Sequence, residues 1–166
     1  MLIFVKRAGD VRFDQLLEVY RQSNEKAAAQ LPNVSGEFAL ELAEQNFRQY
    51  LREVFFRTDG AILAVWEEAG RYVSATRLEP YRNGLLLAGV ETAPDDRRKG
   101  YAARLIRGIQ EQMHHLDVSC LYSHVHKKNT PSLSLHEKLG FRVISDMAVY
   151  LDGSVDNRSV TMRYGK

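Results

Sequence analysis

The residues best placed by type and spacing to do chemistry lie in one turn. Leu85–Thr92 reads as a strand that runs into Ala93-Pro94-Asp95-Asp96-Arg97-Arg98-Lys99-Gly100-Tyr101-Ala102 and then into a helix. A helix start carries backbone N–H groups with no intrahelical partner, and the helix dipole adds partial positive charge there. A phosphate at that end is held by backbone donors. Gly100 lets the backbone come close without a Cβ, and Ala102 keeps the first turn small. Arg97, Arg98 and Lys99 add mobile charge around such an anion. No Gly-Lys-Ser/Thr follows, so this is not a Walker loop, and the dinucleotide glycine pattern is absent. Taken alone, the turn reads equally as a solvated basic bend leading into a core helix.

Three further side chains stand out. Glu91 interrupts an otherwise apolar strand, where period two puts Leu87, Gly89 and Glu91 on one face and Ala88, Val90 and Thr92 on the other. His124 shares a face with Tyr122 on the next strand. His136 falls one helical turn after Ser132. The remaining histidines, His114, His115 and His126, fall in polar stretches and read as surface residues. The five histidines show no zinc spacing, so no metal is expected. The single cysteine, Cys120, excludes an internal disulfide and reads as a buried core residue.

The elements that must position these residues follow from periodicity. The chain has 166 residues, enough for one domain with one sizeable core. Leu2–Lys6 is a short strand. Asp10 is placed to cap a helix with Phe13, Leu16, Leu17 and Tyr20 on its apolar face. Leu31-Pro32-Asn33 and Gly36 break the pattern before a longer helix bearing Ala39, Leu42, Ala43, Phe47, Tyr50, Leu51, Val54 and Phe55 on one side. Ala61–Trp66, Tyr72–Leu78 and Leu85–Thr92 are strands separated by Ala69-Gly70 and Asn83-Gly84 turns. After the turn, Ala102, Leu105, Ile106, Ile109 and Met113 mark a buried helix face. Val118–Val125 is a strand, Thr130 is placed to cap a short helix ending at Gly140, and Phe141–Leu151 and Ser159–Tyr164 close the chain as strands. That order implies one mixed α/β sheet.

Net charge is +2, from 23 basic and 21 acidic residues, which requires neither a nucleic-acid nor a membrane partner. The first residues do not resemble a secretory leader and no apolar run has spanning length, so a cytoplasmic protein is expected.

Arg97-x-x-Gly100-x-Ala102, preceded by Val90-x-Thr92-x-Pro94, resembles the cofactor motif of the GNAT superfamily of N-acetyltransferases. The run from Asn129 to Gly140-Phe141 resembles that family's later motif: an Asn, a short helix and a Leu-Gly-Phe ending. The motifs stand in the right order with one strand between them, and the resemblance covers essentially the whole chain. It implies a mostly antiparallel sheet of six or seven strands flanked by about four helices and splayed between the fourth and fifth strands. It implies acetyl-CoA as co-substrate, with its pyrophosphate at Arg97, Arg98, Lys99, Gly100, Tyr101 and Ala102 and its pantetheine arm along the backbone of Val90 and Thr92. Asn129 and His136 occupy positions that touch the pantetheine. The family often has a tyrosine at the position of His136, where it protonates the leaving thiolate; this departure leaves the acid role open. Homodimers are usual in the family.

Amide formation from a thioester needs a polarised carbonyl, a neutral amine and a departing thiolate. An alkyl amine of pKa about 10.4 is neutral in only about one part in a thousand near neutral pH, a deficit of about 4 kcal/mol. A general base offsets part of that deficit. Glu91 is the first candidate and His124 the second, set against the plainer readings of a rim ion-pair residue and a hydrogen-bonded structural histidine. His136 divides between cofactor contact, acid and structural roles. The acceptor, a small-molecule or peptide amine, lies in this family between the first two helices and the last strands. Phe38, Phe47, Tyr50, Trp66, Tyr81 and Tyr150 are its aromatic candidates, while Glu37, Glu41 and Glu44 read first as a solvated face. The expected activity is transfer of an acetyl group to a primary amine; the alternative is a catalytically silent acyl-CoA sensor.

Overall fold

A computed structural model describes residues 1–165. Seven strands form one sheet: β1 (Leu2–Val5), β2 (Ile62–Glu68), β3 (Arg71–Tyr81), β4 (Gly84–Thr92), β5 (Cys120–His126), β6 (Arg142–Ser145) and β9 (Ser159–Gly165), in the order β1-β2-β3-β4-β5-β9-β6. All neighbours are antiparallel except β4 and β5, which are parallel. Five helices accompany the sheet: α1 (Phe13–Val19), α2 (Arg21–Ala28), α3 (Gly36–Glu53), α4 (Tyr101–Glu111) and α5 (Thr130–Lys138). Among the described residues no helix is long and apolar enough to cross a membrane.

The sheet has a core on each face. On one face, Phe13, Leu16 and Val19 of α1 and Leu51 of α3 pack on Leu63, Val65 and Ala75. On the other, Leu105, Ile106 and Ile109 of α4 pack on Leu78, Leu85, Leu87, Leu121 and Met162. Alternation along β2 divides its side chains between the two cores: Leu63 and Val65 face one, Ile62 and Ala64 the other.

Several local expectations are corrected. Asp10 lies in a 3-10 turn (Ala8–Asp10) and does not cap α1, whose N-cap is Arg12 with no side-chain hydrogen bond. The expected first helix is two, bent at the buried Tyr20, whose hydroxyl donates to Gly89 O at 2.8 Å. Val54 lies just beyond α3 and is exposed. Asn129, not Thr130, caps α5: its side-chain oxygen accepts from Ser132 N at 3.2 Å. Asn at the cap satisfies an orphan helix donor as well as a hydroxyl does. Phe141–Leu151 is not one strand. It divides into β6 and a two-residue strand β7 (Ala148–Val149), which pairs with β8 (Val155–Asp156) in a separate hairpin.

The irregularity that matters for function is in β4. Ala75 pairs with Glu91 but Arg77 pairs with Ala88, so Gly89 and Val90 together oppose Thr76. This is a β-bulge, and Gly89 takes φ +65°, a conformation open to glycine at no steric cost. The extra residue breaks period two. Leu87 and Val90 both pack on the α4 side, and Glu91 reaches Ser23 of α2 on the opposite side. Glu91 therefore does not share a face with Leu87, as strict alternation requires. Beyond the bulge β4 also parts from β5. Their pairing runs only from Leu85↔Leu121 to Leu87↔Ser123, although β4 continues to Thr92 and β5 to His126. The sheet is open between these two strands.

Candidate active site at the open seam

A cavity of about 520 Å³ lies at the wide end of this seam. It brings together Val90, Glu91, Thr92, Arg97, Arg98, Gly100, Tyr101, Ala102 and Asn129, nine of the residues singled out by the sequence. The turn that shapes it has Arg98 at φ +64° and Gly100 at φ +81°. Gly100 is the N-cap of α4 and offers no side-chain acceptor. The first backbone donor used inside the helix is Arg104 N, bonded to Gly100 O at 3.0 Å, so the N–H groups of Tyr101, Ala102 and Ala103 are left for a ligand. A Cβ built on Gly100 would meet nothing within 4 Å, so no side chain of the protein crowds the start of α4 at this point. Arg97 is held by Gln22 Oε1 at 3.0 Å and by Thr92 O at 3.3 Å. Gln22 and Lys26 of α2 complete the rim.

Peptide groups face alternate edges along a strand. Ala93 N donates to Val73 O at 2.9 Å, on the β3 side, so the peptide groups of Thr92 and Val90 face the seam. An extended ligand arm fits there as a short extra strand.

Lys99 does not line the cavity. Its Nζ lies 3.0 Å from Asp96 Oδ1, and Arg71 Nη2 lies 2.8 Å from Asp96 Oδ2. Asp96 is 4% exposed. Burial pushes its carboxyl pKa up, but the bonds from Lys99 and Arg71 outweigh burial and hold it below the ordinary value. A depressed carboxyl contributes stability above its unfolded pKa and loses it as the pH falls through the folded one. Asp96→Asn is therefore expected to lower the melting temperature at pH 7. The gap should narrow as the pH falls through and below the ordinary carboxyl range, which thermal melts across pH will check.

Glu91 sits where two spaces meet. It also lines a second cavity of about 370 Å³, whose other walls include Tyr20, Asn24, Phe47, Arg77 and Gly89. No other residue lines both. Ser23 Oγ donates to the Glu91 carboxylate. Burial raises the Glu91 pKa, against the lowering effects of Ser23, Arg97, Lys26 and Arg77. A carboxylate made more basic in this way is a competent proton acceptor.

The two histidines stand apart from both cavities. His124 is stacked edge-on between Tyr81 and Tyr150, with ring centroids 5.3 and 5.0 Å away, and neither ring nitrogen has a hydrogen-bond partner among the described residues. Burial first, then Arg82, lower its pKa. His136 is 1% exposed, with Nδ1 2.8 Å from Ser132 O and its ring edge-on to Phe141 at 5.1 Å. Burial lowers its pKa as well. Of the aromatic candidates, Phe47 lines the second cavity and Tyr50 stands 5.5 Å from the Arg77 guanidinium. Phe38 is exposed and Trp66 packs on the α4 side.

Sequence reasoning missed Gln22, Ser23, Asn24 and Lys26. They come from a helix whose polar composition gave no signal, with only Asn24 and Ala28 buried. Arg77 was also missed. A basic residue inside the buried run of β3 is the same kind of signal that drew attention to Glu91.

Comparison with known proteins places this geometry. The acetyltransferase (GNAT) family profile matches residues 15–141. The chain is 37% identical over 94 residues to aminoglycoside N(6')-acetyltransferase type 1 of Serratia marcescens; the match covers 55% of this chain and 62% of that relative. The chain thus spans about three-fifths of the length of the curated relative it matches. Among solved structures, the PaiA N-acetyltransferase of Thermoplasma acidophilum in complex with coenzyme A aligns over 100% of this chain and 99% of its own, with TM-score 0.69 and 17% identity. An aminoglycoside 6'-acetyltransferase type Ii aligns over 99% and 96%, with TM-score 0.66 and 14% identity. The open seam, the turn at the start of α4 and the family match agree: the chain belongs to the acetyltransferase (GNAT) family.

Proposed function

We propose that the protein is an N-acetyltransferase that moves an acetyl group from acetyl-CoA to a primary amine of a small molecule by direct attack on the thioester. The observation that carries this reading is the meeting of two cavities at Glu91. One has the donor set for a pyrophosphate, with three free N–H groups of α4 beside Arg97 and Arg98. The other is large enough for a small amine.

Acetyl-CoA supplies an acyl group already activated as a thioester. The residues then divide the work. Arg97, Arg98, Gly100, Tyr101 and Ala102 bind the pyrophosphate. The backbone of Val90 and Thr92 pairs with the pantetheine arm and offers a donor to the carbonyl oxygen. Asn129 lines the same cavity. Glu91 takes the proton that the ammonium must lose before it attacks. A thiol of pKa about 8.5 is a fair leaving group near neutrality, so no dedicated acid is required. His124 and His136, outside both cavities, are assigned structural roles.

The experiment is calorimetric titration with acetyl-CoA, followed by a free-thiol assay over a panel of amines. Binding with amine-dependent thiol release is the expected result. Absence of binding at submillimolar acetyl-CoA counts against the reading. Binding without thiol release for any amine favours a silent acyl-CoA sensor, a reading the enclosed position of His136 suits.

A further inference from the structure

The second cavity carries opposite charges that are not paired with each other. Glu91 takes part in no ion pair among the described residues; Arg77, on the neighbouring strand, has its ion pair with Glu79, through Nε at 3.2 Å, and its guanidinium also stands 5.5 Å from the Tyr50 ring centre. The two terminal nitrogens of Arg77 take no part in that bond. A Cβ built on Gly89 would stand 3.6 Å from each of them. Arg77 is 20% exposed, so its charge is largely removed from bulk water. A third group points the same way. Asn24 is 4% exposed, and its side-chain Nδ2 has no hydrogen-bond partner among the described residues. A buried donor without a partner costs about 1–3 kcal/mol, a cost that an acceptor entering the cavity would offset.

Resting on the acetyl transfer proposed above, we infer that the acceptor is a small amine carrying its own carboxylate, an amino acid or a close analogue. Its amine meets Glu91, beside the thioester cavity. Its carboxylate meets the guanidinium fork of Arg77 and the amide of Asn24, groups that match a planar anion. A side chain at Gly89 would stand against Tyr20 and the Arg77 fork, so glycine keeps that wall of the cavity clear. A polycationic acceptor gains at Glu91 but faces Arg77, a like charge in a partly desolvated space.

The test is thiol release from acetyl-CoA with matched acceptors: an amino acid, its amide, its decarboxylated amine and an aminoglycoside. The amino acid is expected to exceed its amide in kcat/KM by about 100-fold, since a site built for a polar group rejects the analogue lacking it. In Arg77→Gln this preference should collapse to within about threefold. Loss of a buried cation can unfold the chain, so Asn24→Asp serves as a second variant. Its added carboxylate should cut the preference at least about tenfold. Turnover of the decarboxylated amine or the aminoglycoside as good as that of the amino acid overturns the inference and leaves acetyl transfer standing. So does an unchanged preference in folded Asn24→Asp. If no amine releases thiol, acetyl transfer itself fails and calorimetry decides the inference. Binding of the amino acid that is lost in Asn24→Asp supports it; no binding at millimolar concentration overturns it.

Discussion

Glu91→Gln is expected to lower kcat by about 10²- to 10³-fold, the usual loss when a positioned base is removed. The substitution keeps the side chain's shape and its bond with Ser23 Oγ, so acetyl-CoA affinity should change little. The pH profile separates a base from a mere contact. Burial raises the Glu91 carboxyl above its ordinary value, so wild-type activity should fall on the acid side at a higher pH than an exposed glutamate would give. That limb should vanish in Glu91→Gln. The same shift has a stability consequence of opposite sign to that of Asp96. A carboxyl whose folded pKa is raised favours folding when protonated, so its penalty is absent below the unfolded pKa and fully present above the folded one. Glu91→Gln should therefore melt at a higher temperature than wild type near pH 8, with the difference disappearing near pH 4. A variant that is slower and yet more stable is the mark of a carboxylate kept for function against its folding cost.

Gly100→Asp is expected to weaken acetyl-CoA binding by at least about 100-fold, equivalent to about 2.7 kcal/mol. Two effects add. At φ +81° any side chain is strained, by about 1–2 kcal/mol. The new Cβ meets no protein atom within 4 Å, and the side chain brings a negative charge to the start of α4, where the pyrophosphate is proposed to bind. Gly100→Ala isolates the conformational part and should cost about tenfold or less. Calorimetry on both variants distinguishes the cases. Equal losses would mean that backbone strain alone governs the site.

The sequence carried the long-period information well. The strand order, the amphipathic α4 and the turn at Arg97–Ala102 were legible because apolar spacing and a glycine at a helix start have direct physical causes. The lost details were those in which one residue alters the geometry of its neighbours. Period two along β4 failed because Gly89 adopts a left-handed conformation and inserts an extra residue, which sends Glu91 to the α2 side. A glycine in a strand permits a bulge but does not require one. Lys99 looked like a third phosphate ligand, yet Asp96, three residues earlier, holds it. Local sequence does not decide between an external anion and a neighbouring carboxylate. Asn24 gave no signal, and the signal of Arg77 as a basic residue in a buried run did not point to a partner, because the cavity they line is built by a strand and a helix more than fifty residues apart.

The seam between β4 and β5 also creates two unpaired strand edges inside the sheet. Edges of this kind are normally a liability, since a flat row of free N–H and C=O groups invites the strand of another molecule and so begins aggregation. Here the bulge at Gly89 twists β4 where its partner departs. A stray strand that tried to lengthen the pairing from Leu87 onward would lose register within two residues. The distortion that opens the sheet to a short extended arm thus also closes it to a long one, and Gly89 guards against misassembly at the same place where it makes room for chemistry.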